Sequence, residues 1–351
     1  MRIALFLPNW LGDLVMATPT IRALRHHFGA DAHLVGILRP YLSEVLSGTD
    51  WLDEQWFYNP RAEDPALRML ALARRMRQER FDLAVLLPNS LRTALVAWLG
   101  GARQRIGYVR NGRGPLLTGR LYPRRVRGRL VDAPVVDVYL ALTRSLGCAP
   151  ESPRLELATV ERDERSADAV WRELGLRTDG RVVALNSGSS NGAARFWPAE
   201  HFGRLARLIA SRLDHDVLVV CGPSERCDAQ EILRCADHDR VFSMADQPLD
   251  LGTSKACIRR TRLMVSTDSG PRHVAAALGK PVITLRGPTL PIWSENPTVR
   301  AVDLRLDLEC TGCRERVCPL KHHKCMRDLT AGMVYPEVVR LLQSEESSKA
   351  A

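Results

Sequence analysis

Short, uninterrupted apolar runs alternate along this chain with longer stretches in which apolar residues recur every three or four positions. Residues 1–7, 34–37 and 82–87 in the first half are runs of the first kind. So are residues 181–185, 217–220, 262–265 and 282–285 in the second. Runs of that length without polar alternation read as strands buried on both faces. The helical spacing fills the intervals: from the turn at Gly12 through Leu24, then residues 65–80, 91–99 and 135–146. It resumes at residues 160–174, 199–212, 224–236, 250–260 and 274–278. Strand and helix in strict alternation predict an α/β fold, doubly wound, with open parallel sheets covered by helices and a ligand crevice at the carboxyl ends of the strands.

Prolines and small residues cluster at Cys148-Ala149-Pro150-Glu151-Ser152-Pro153-Arg154, which reads as a linker. The expected organisation is a first domain over residues 1–155, a second over 156–335, and a C-terminal helix and tail over 336–351. A length of 351 residues suits two such cores. The hydrophobic fraction of 45% and charged fraction of 26% are those of an ordinary folded protein. No run is long and apolar enough for a membrane span, and the first residues lack the basic region and cleavage site of a leader. Nine cysteines without a leader point to a reducing compartment.

The formal charge of +10 favours a polyanionic partner: nucleic acid, anionic lipid or a phosphorylated glycan. Much of the excess lies in residues 103–129, which read either as a solvated arginine-rich loop or as a guide to such a partner. That stretch lacks the aromatic interleaving of a base-stacking surface.

Two strands end in small-residue turns that run directly into helices, a geometry suited to phosphate. After the first strand comes Pro8-Asn9-Trp10-Leu11-Gly12-Asp13. Asp13 there either caps the helix or acts as a general base, with Gly12 keeping the approach open. After the later strand comes Ser266-Thr267-Asp268-Ser269-Gly270-Pro271-Arg272-His273. Ser269 and Gly270 can offer backbone N–H groups to a diphosphate, and His273 can add a donor one turn on. The loop of residues 186–198 carries Ser190 and closes on Arg195-Phe196-Trp197-Pro198; its small residues admit an anion and Arg195 can clamp it. Glu225, in Gly222-Pro223-Ser224-Glu225, either binds ribose hydroxyls or starts a helix. Finally, Cys310, Cys313, Cys318 and Cys325 lie close together with His322 and His323. They could hold a structural zinc or an iron–sulfur centre, or remain free thiols, since their spacing is neither that of a zinc ribbon nor a familiar ferredoxin run.

Taken in order, Asn9-Trp10-Leu11-Gly12-Asp13, Pro88-Asn89-Ser90, the loop ending in Arg195-Phe196-Trp197-Pro198, Gly222-Pro223-Ser224-Glu225 and the 267–273 turn resemble bacterial lipopolysaccharide heptosyltransferases. The similarity is to the heptosyltransferase II group of glycosyltransferase family 9 and spans residues 1–340. The resemblance implies a GT-B fold, two Rossmann-like domains with a cleft between them. It also implies inverting, metal-independent transfer from ADP-L-glycero-β-D-manno-heptose to the inner core of lipopolysaccharide, by a cytoplasmic enzyme peripheral to the inner membrane and without a required cofactor. Asp13 matches the family's base, with Asn9 and Gly12 on the acceptor side. Ser190, Arg195, Glu225, Ser269, Gly270 and His273 match donor-binding positions, Arg195 standing where the family commonly has lysine. Two other readings compete: the same fold with a different nucleotide-sugar donor or glycan acceptor, and a zinc-containing nucleic-acid-binding protein.

Overall fold

The computed structural model of this chain describes residues 1–188 and 192–350. It divides into two compact units, one of Met1–Leu155 with Ile292–Asn296, the other of Glu156–Pro291 with Pro297–Ala351.

In the first unit six strands form one parallel sheet: β1 (Arg2–Phe6), β2 (His33–Leu38), β3 (Glu54–Phe57), β4 (Leu83–Leu86), β5 (Gln104–Tyr108) and β6 (Gly119–Leu121). Their order is β3-β2-β1-β4-β5-β6, the dinucleotide-binding arrangement whose switch point falls between β1 and β4. Ile3 sits opposite Leu34 on one side and Leu83 on the other, so β1 is central and buried on both faces. The periodicity missed β3, β5 and β6. Only Trp56 of β3 is buried, and β5 begins with the polar Gln104 and Arg105. Trp56 anchors the edge nonetheless, with Phe81 edge-on at 5.4 Å and the Arg75 guanidinium 3.7 Å from its ring centre.

Two predicted helices are broken, the first before Pro19 and the second at Arg68. The helix after β1 runs as Leu11–Met16 and then Thr18–Phe28. Pro19 has no N–H for the Val15 carbonyl, and the Thr18 hydroxyl donates to that carbonyl instead, at 2.8 Å. Residues 65–80 divide into a tight turn at Pro65–Leu67, which Asp64 caps through the Ala66 N–H at 2.8 Å, and a helix at Met69–Glu79.

The solvated-loop reading of residues 103–129 fails for its middle. Arg113 is fully buried, and burial lowers its basicity to about 10, with Arg110 adding to the effect. Its guanidinium donates to the Tyr108 carbonyl at 2.8 Å, to the Pro88 carbonyl, and to Asn89 Oδ1 at 3.0 Å. This arginine therefore pins the loop at the carboxyl end of β4. Beyond β6 the chain forms a separate hairpin, β7 (Arg125–Val126) with β8 (Arg129–Leu130). The proline-rich segment at 148–154 is not a free linker either. Buried Arg22 donates to Glu151 Oε1 at 3.2 Å and to the carbonyls of Ser152 and Arg154 at 3.0 and 3.2 Å.

The second unit repeats the design with β9 (Val182–Asn186), β10 (Asp216–Val219), β11 (Val241–Ser243), β12 (Leu263–Thr267), β13 (Val282–Leu285) and β14 (Ala301–Leu304). These are again parallel, in the order β11-β10-β9-β12-β13-β14, so the switch point lies between β9 and β12. The final helix, Ala331–Ala350, packs on the helix Ala199–Arg212. Trp197 joins that layer from within, its indole N–H donating to the Leu329 carbonyl at 2.6 Å. Among the described residues no helix is long and apolar enough to cross a membrane.

Candidate functional site

The carboxyl end of β1 delivers the chain through Pro8 and Asn9 into the helix Leu11–Met16. Trp10, not Asp13, occupies the cap position, and its side chain makes no capping bond. Asp13 is the third helical residue, half-buried, where the helix dipole favours a negative charge. The cap reading is thus excluded. Burial and then the Asp13 carboxylate hold the Tyr139 phenol well above its ordinary value. Burial also raises Tyr41; there Arg39 opposes the shift and Asp13 adds to it. The two tyrosines place the Asp13 charge among phenols. Exposed Asn9 accepts from Arg39 Nε at 2.9 Å through its side chain and from the Tyr41 hydroxyl at 2.5 Å through its carbonyl. Arg39 reaches on to Asn59. Gly12 sits within the first helical turn, half-buried beside Asp13.

In the second unit the switch point gathers most of the donor-side candidates. Asn186 ends β9, and its amide donates to the Val220 carbonyl at 2.8 Å. Its Oδ1 accepts from the Ser269 hydroxyl at 2.9 Å. Ser269 is the cap residue of the helix Gly270–Ala277, yet its hydroxyl makes no capping bond. The N–H groups of Ser269, Gly270 and Arg272 accordingly have no intrahelical acceptor, while Pro271 has none to offer. Thr267 Oγ1 donates to the Gly188 carbonyl at 2.7 Å, and Arg195 donates to the Asp268 carbonyl at 2.9 Å. Glu225 spends Oε2 on the Gly222 N–H at 2.8 Å, which is the helix-start role. Its other oxygen faces Gly188, where an added Cβ would lie 1.9 Å away; only glycine permits that approach. Burial raises the Glu225 carboxyl, Asp228 adds to the rise, and the Gly222 bond opposes it. Ser190 lies outside the described residues.

Sequence reasoning missed the charges beneath this turn. Asp268 accepts from Arg272 Nε at 2.9 Å, and Arg286, at the end of β13, reaches the same carboxylate at 3.2 Å. Arg286 also donates to Asp303 Oδ1 at 2.7 Å, and Arg195 lies 3.8 Å from Asp268 Oδ2. Although burial opposes ionisation, Arg272 and Arg286 hold the Asp268 carboxyl far below its ordinary value. The spacing of Asp268 and Arg272 was a readable signal for one of these pairs; nothing local announced Arg286.

His273 is buried in the same helix. Burial first, then Arg272 and Arg286, keep it well below an ordinary histidine, against the pull of Asp268. It is therefore a neutral imidazole with one N–H, not a cation. Folded protein binds fewer protons here than unfolded protein, so stability is full above about pH 6.5 and declines as pH falls below it. The unfolding free energy from urea titration is expected to drop between pH 7 and 5, by at most about 1.4 kcal/mol per pH unit from this group. His273→Asn should flatten that part of the profile; an unchanged slope would assign it elsewhere.

Cys310, Cys313 and Cys318 are near enough to Cys325 that burial and then their charges push its thiol up to about 11. Cys318 goes the other way, lowered chiefly by the His323 N–H and then by those of Leu320, His322 and Lys321. Cys310 Sγ stands 4.0 Å from His322 Nε2. Among the described residues no group of three or more histidine, cysteine or acidic side chains is arranged to hold a metal ion. The four thiols as placed do not make a ligand shell. The segment instead meets the loop after β9, for the Arg316 carbonyl accepts from the Ala194 N–H at 3.0 Å and closes on Gly192. Of the other cysteines, Cys148, Cys221 and Cys257 are buried, whereas Cys227 is exposed.

Comparison with known proteins bears on the whole chain. Residues 69–324 match the family described as glycosyltransferase family 9 (heptosyltransferase). Lipooligosaccharide heptosyltransferase 2 of Campylobacter jejuni is 26% identical, over 98% of this chain and 99% of that one. Among solved structures, ADP-heptose lipopolysaccharide heptosyltransferase II of Escherichia coli superposes with a TM-score of 0.78 at 23% identity, covering 99% of this chain and 100% of the other. A family 9 glycosyltransferase of Veillonella parvula gives 0.84 at 21% identity, over 98% and 97%. The two sheets are those of the GT-B fold.

Proposed function

This chain belongs to glycosyltransferase family 9, and we propose that it transfers L-glycero-D-manno-heptose from its ADP donor to the inner core of lipopolysaccharide, with inversion at the anomeric carbon. The observation that carries the donor half is the convergence at the second switch point. An uncapped helix start at Ser269 and Gly270, the Arg195 guanidinium beside it and the Glu225 carboxylate follow the neighbouring strands β12, β9 and β10 at the carboxyl edge of the second sheet. Helix N–H groups and a guanidinium suit the diphosphate, and a carboxylate suits ribose hydroxyls. As the glycosidic bond breaks, negative charge grows on the departing diphosphate. Donors fixed beforehand stabilise that growth more than the ground state, each worth about 3 kcal/mol of barrier.

Asp13 takes the proton of the acceptor hydroxyl as its oxygen bonds to the anomeric carbon and ADP leaves with the electron pair. One displacement inverts the centre. Asn9 and Gly12 form the acceptor side of this base, and Ser190 belongs with the diphosphate contacts. No step of the reaction is routed through the cysteine segment, which serves as a structural loop. The place of work is the cytoplasmic face of the inner membrane, where a core acceptor is anchored.

The test is incubation with ADP-heptose and an authenticated core acceptor. ADP release matched by heptosylated acceptor is expected, and its failure sinks the reading. ADP alone should slow amide exchange at Arg195, Glu225 and 269–273, and at a hundred times its Kd add about 2.7 kcal/mol of stability. Protection by UDP or GDP equal to that by ADP would move the enzyme to another donor.

A further inference from the structure

The β7–β8 hairpin has no place in the chemistry above, and its construction is unusual for a soluble surface. Its strands pair only with each other, Arg125 opposite Leu130 and Val126 opposite Arg129, and join neither six-stranded sheet. Arg127 and Gly128 make the turn, both at positive φ (49° and 77°), as a two-residue hairpin of this hand requires. Directly opposed residues share a face, so each face carries one arginine and one aliphatic side chain. Every residue from Arg124 to Val131 is exposed. Val126 is 53% exposed, Leu130 42%, Val131 38%, and Tyr122 at the base 70%. A lone two-stranded ribbon buries too little to be stable by itself, and this one covers no core.

The charge is as one-sided as the apolar exposure. Residues 103–131 contain no aspartate or glutamate. Among the described residues, no acidic side chain pairs with Arg124, Arg125, Arg127 or Arg129. Arg125 donates to the Gly128 carbonyl at 2.7 Å, within its own turn.

We propose that this hairpin, with Tyr122 and Val131 at its base, is the element by which the protein docks on an anionic lipid bilayer. The arginines meet lipid phosphates, Val126 and Leu130 enter the boundary between headgroups and acyl chains, and Tyr122 sits at headgroup level. A nucleic acid would reward stacking faces, which Val126, Leu130 and Val131 lack. A second copy of the hairpin would bring four further arginines against these four. A bilayer rewards both halves of the pattern. The inference extends the proposed function only in naming the element that holds the enzyme at the membrane, and it is tested without donor or acceptor, so its failure leaves heptosyl transfer untouched.

The full chain is sedimented with vesicles of phosphatidylcholine alone, or of phosphatidylcholine with a third of phosphatidylglycerol, neither containing lipopolysaccharide. Binding to the anionic vesicles only, weakening with added salt, is expected. The double variant R125A/R129A should lower that partition roughly 25-fold, at about one kcal/mol per arginine removed. V126S/L130S should lower the part of the binding that survives high salt. All four positions are exposed, so the melting temperatures should match the parent's. As a readout independent of affinity, V126W should show quenching by brominated lipids beyond that of the parent chain. Equal binding to neutral vesicles, unchanged partition of R125A/R129A, or no extra quenching in V126W overturns the proposal.

Discussion

Asp13→Asn is expected to lower heptosyl transfer by about 10²- to 10⁴-fold, the range for removing a positioned general base, while leaving ADP affinity unchanged. The substitution keeps the shape of the side chain and removes its negative charge together with its capacity to accept a proton. Asp13 is not the helix cap, so no cap is lost. Its interaction with the helix dipole is worth about 0.3–1 kcal/mol, too little to unfold the unit or to account for such a fall in rate. The residues proposed to hold ADP lie on other strands, in the second unit. Steady-state kinetics with donor binding measured separately would therefore show kcat collapsing at constant Kd. A variant retaining near-parental kcat would reduce Asp13 to a first-turn acid. An optical check accompanies it. Asp13 contributes to the upward shifts of Tyr139 and Tyr41, so both phenols should titrate closer to their ordinary range in the variant.

The second large effect belongs to Asp268, which no motif argument selected. Its carboxylate lies among Arg272, Arg286 and Arg195, the first two buried. Removing one partner from a buried ion pair leaves the other charge uncompensated, at a cost of about 3–5 kcal/mol. Asp268→Asn should thus cost the second unit about that much stability in urea at pH 7. The same logic predicts a rescue: a bound diphosphate supplies negative charge beside Arg195, so saturating ADP should recover more stability in the variant than in the parent. A loss below about 1 kcal/mol would mean that this carboxylate does not hold the guanidiniums in place. The sign with pH is also set. Because the Asp268 carboxyl is depressed in the folded protein, its contribution is complete above about pH 4 and is lost as pH falls through its lower folded value.

What could be read without coordinates was whatever the physics confines to neighbours in sequence. The central strands β1, β4, β9 and β12 are buried on both faces, so each contains an unbroken apolar run of three or more residues. The turns after β1 and β12 hold their candidate residues within eight positions, so Asp13, Ser269 and Gly270 could be proposed from the chain and the family recognised from ordered motifs. Edge strands escaped because their burial is partial: β3 keeps one buried side chain and β14 alternates. The helix break at Pro19 was readable in principle, since proline withholds an N–H wherever it falls; the break at Arg68 had no such local signal.

Tertiary structure alone decided the rest. Arg113 and Arg125 belong to one arginine-rich stretch of the same composition, yet one is a fully buried clamp on the Pro88–Asn89 loop and the other rides an exposed hairpin. Arg286 meets Asp268 and Asp303 only because β13 lies between β12 and β14 in the sheet. His273 is neutral chiefly because the fold buries it, with its neighbour Arg272 and the distant Arg286 adding to the effect. Periodicity and turn chemistry are local and survive in the one-dimensional string. Burial and the balance of charge depend on which distant segments share a dry interior, and only the folded chain sets that.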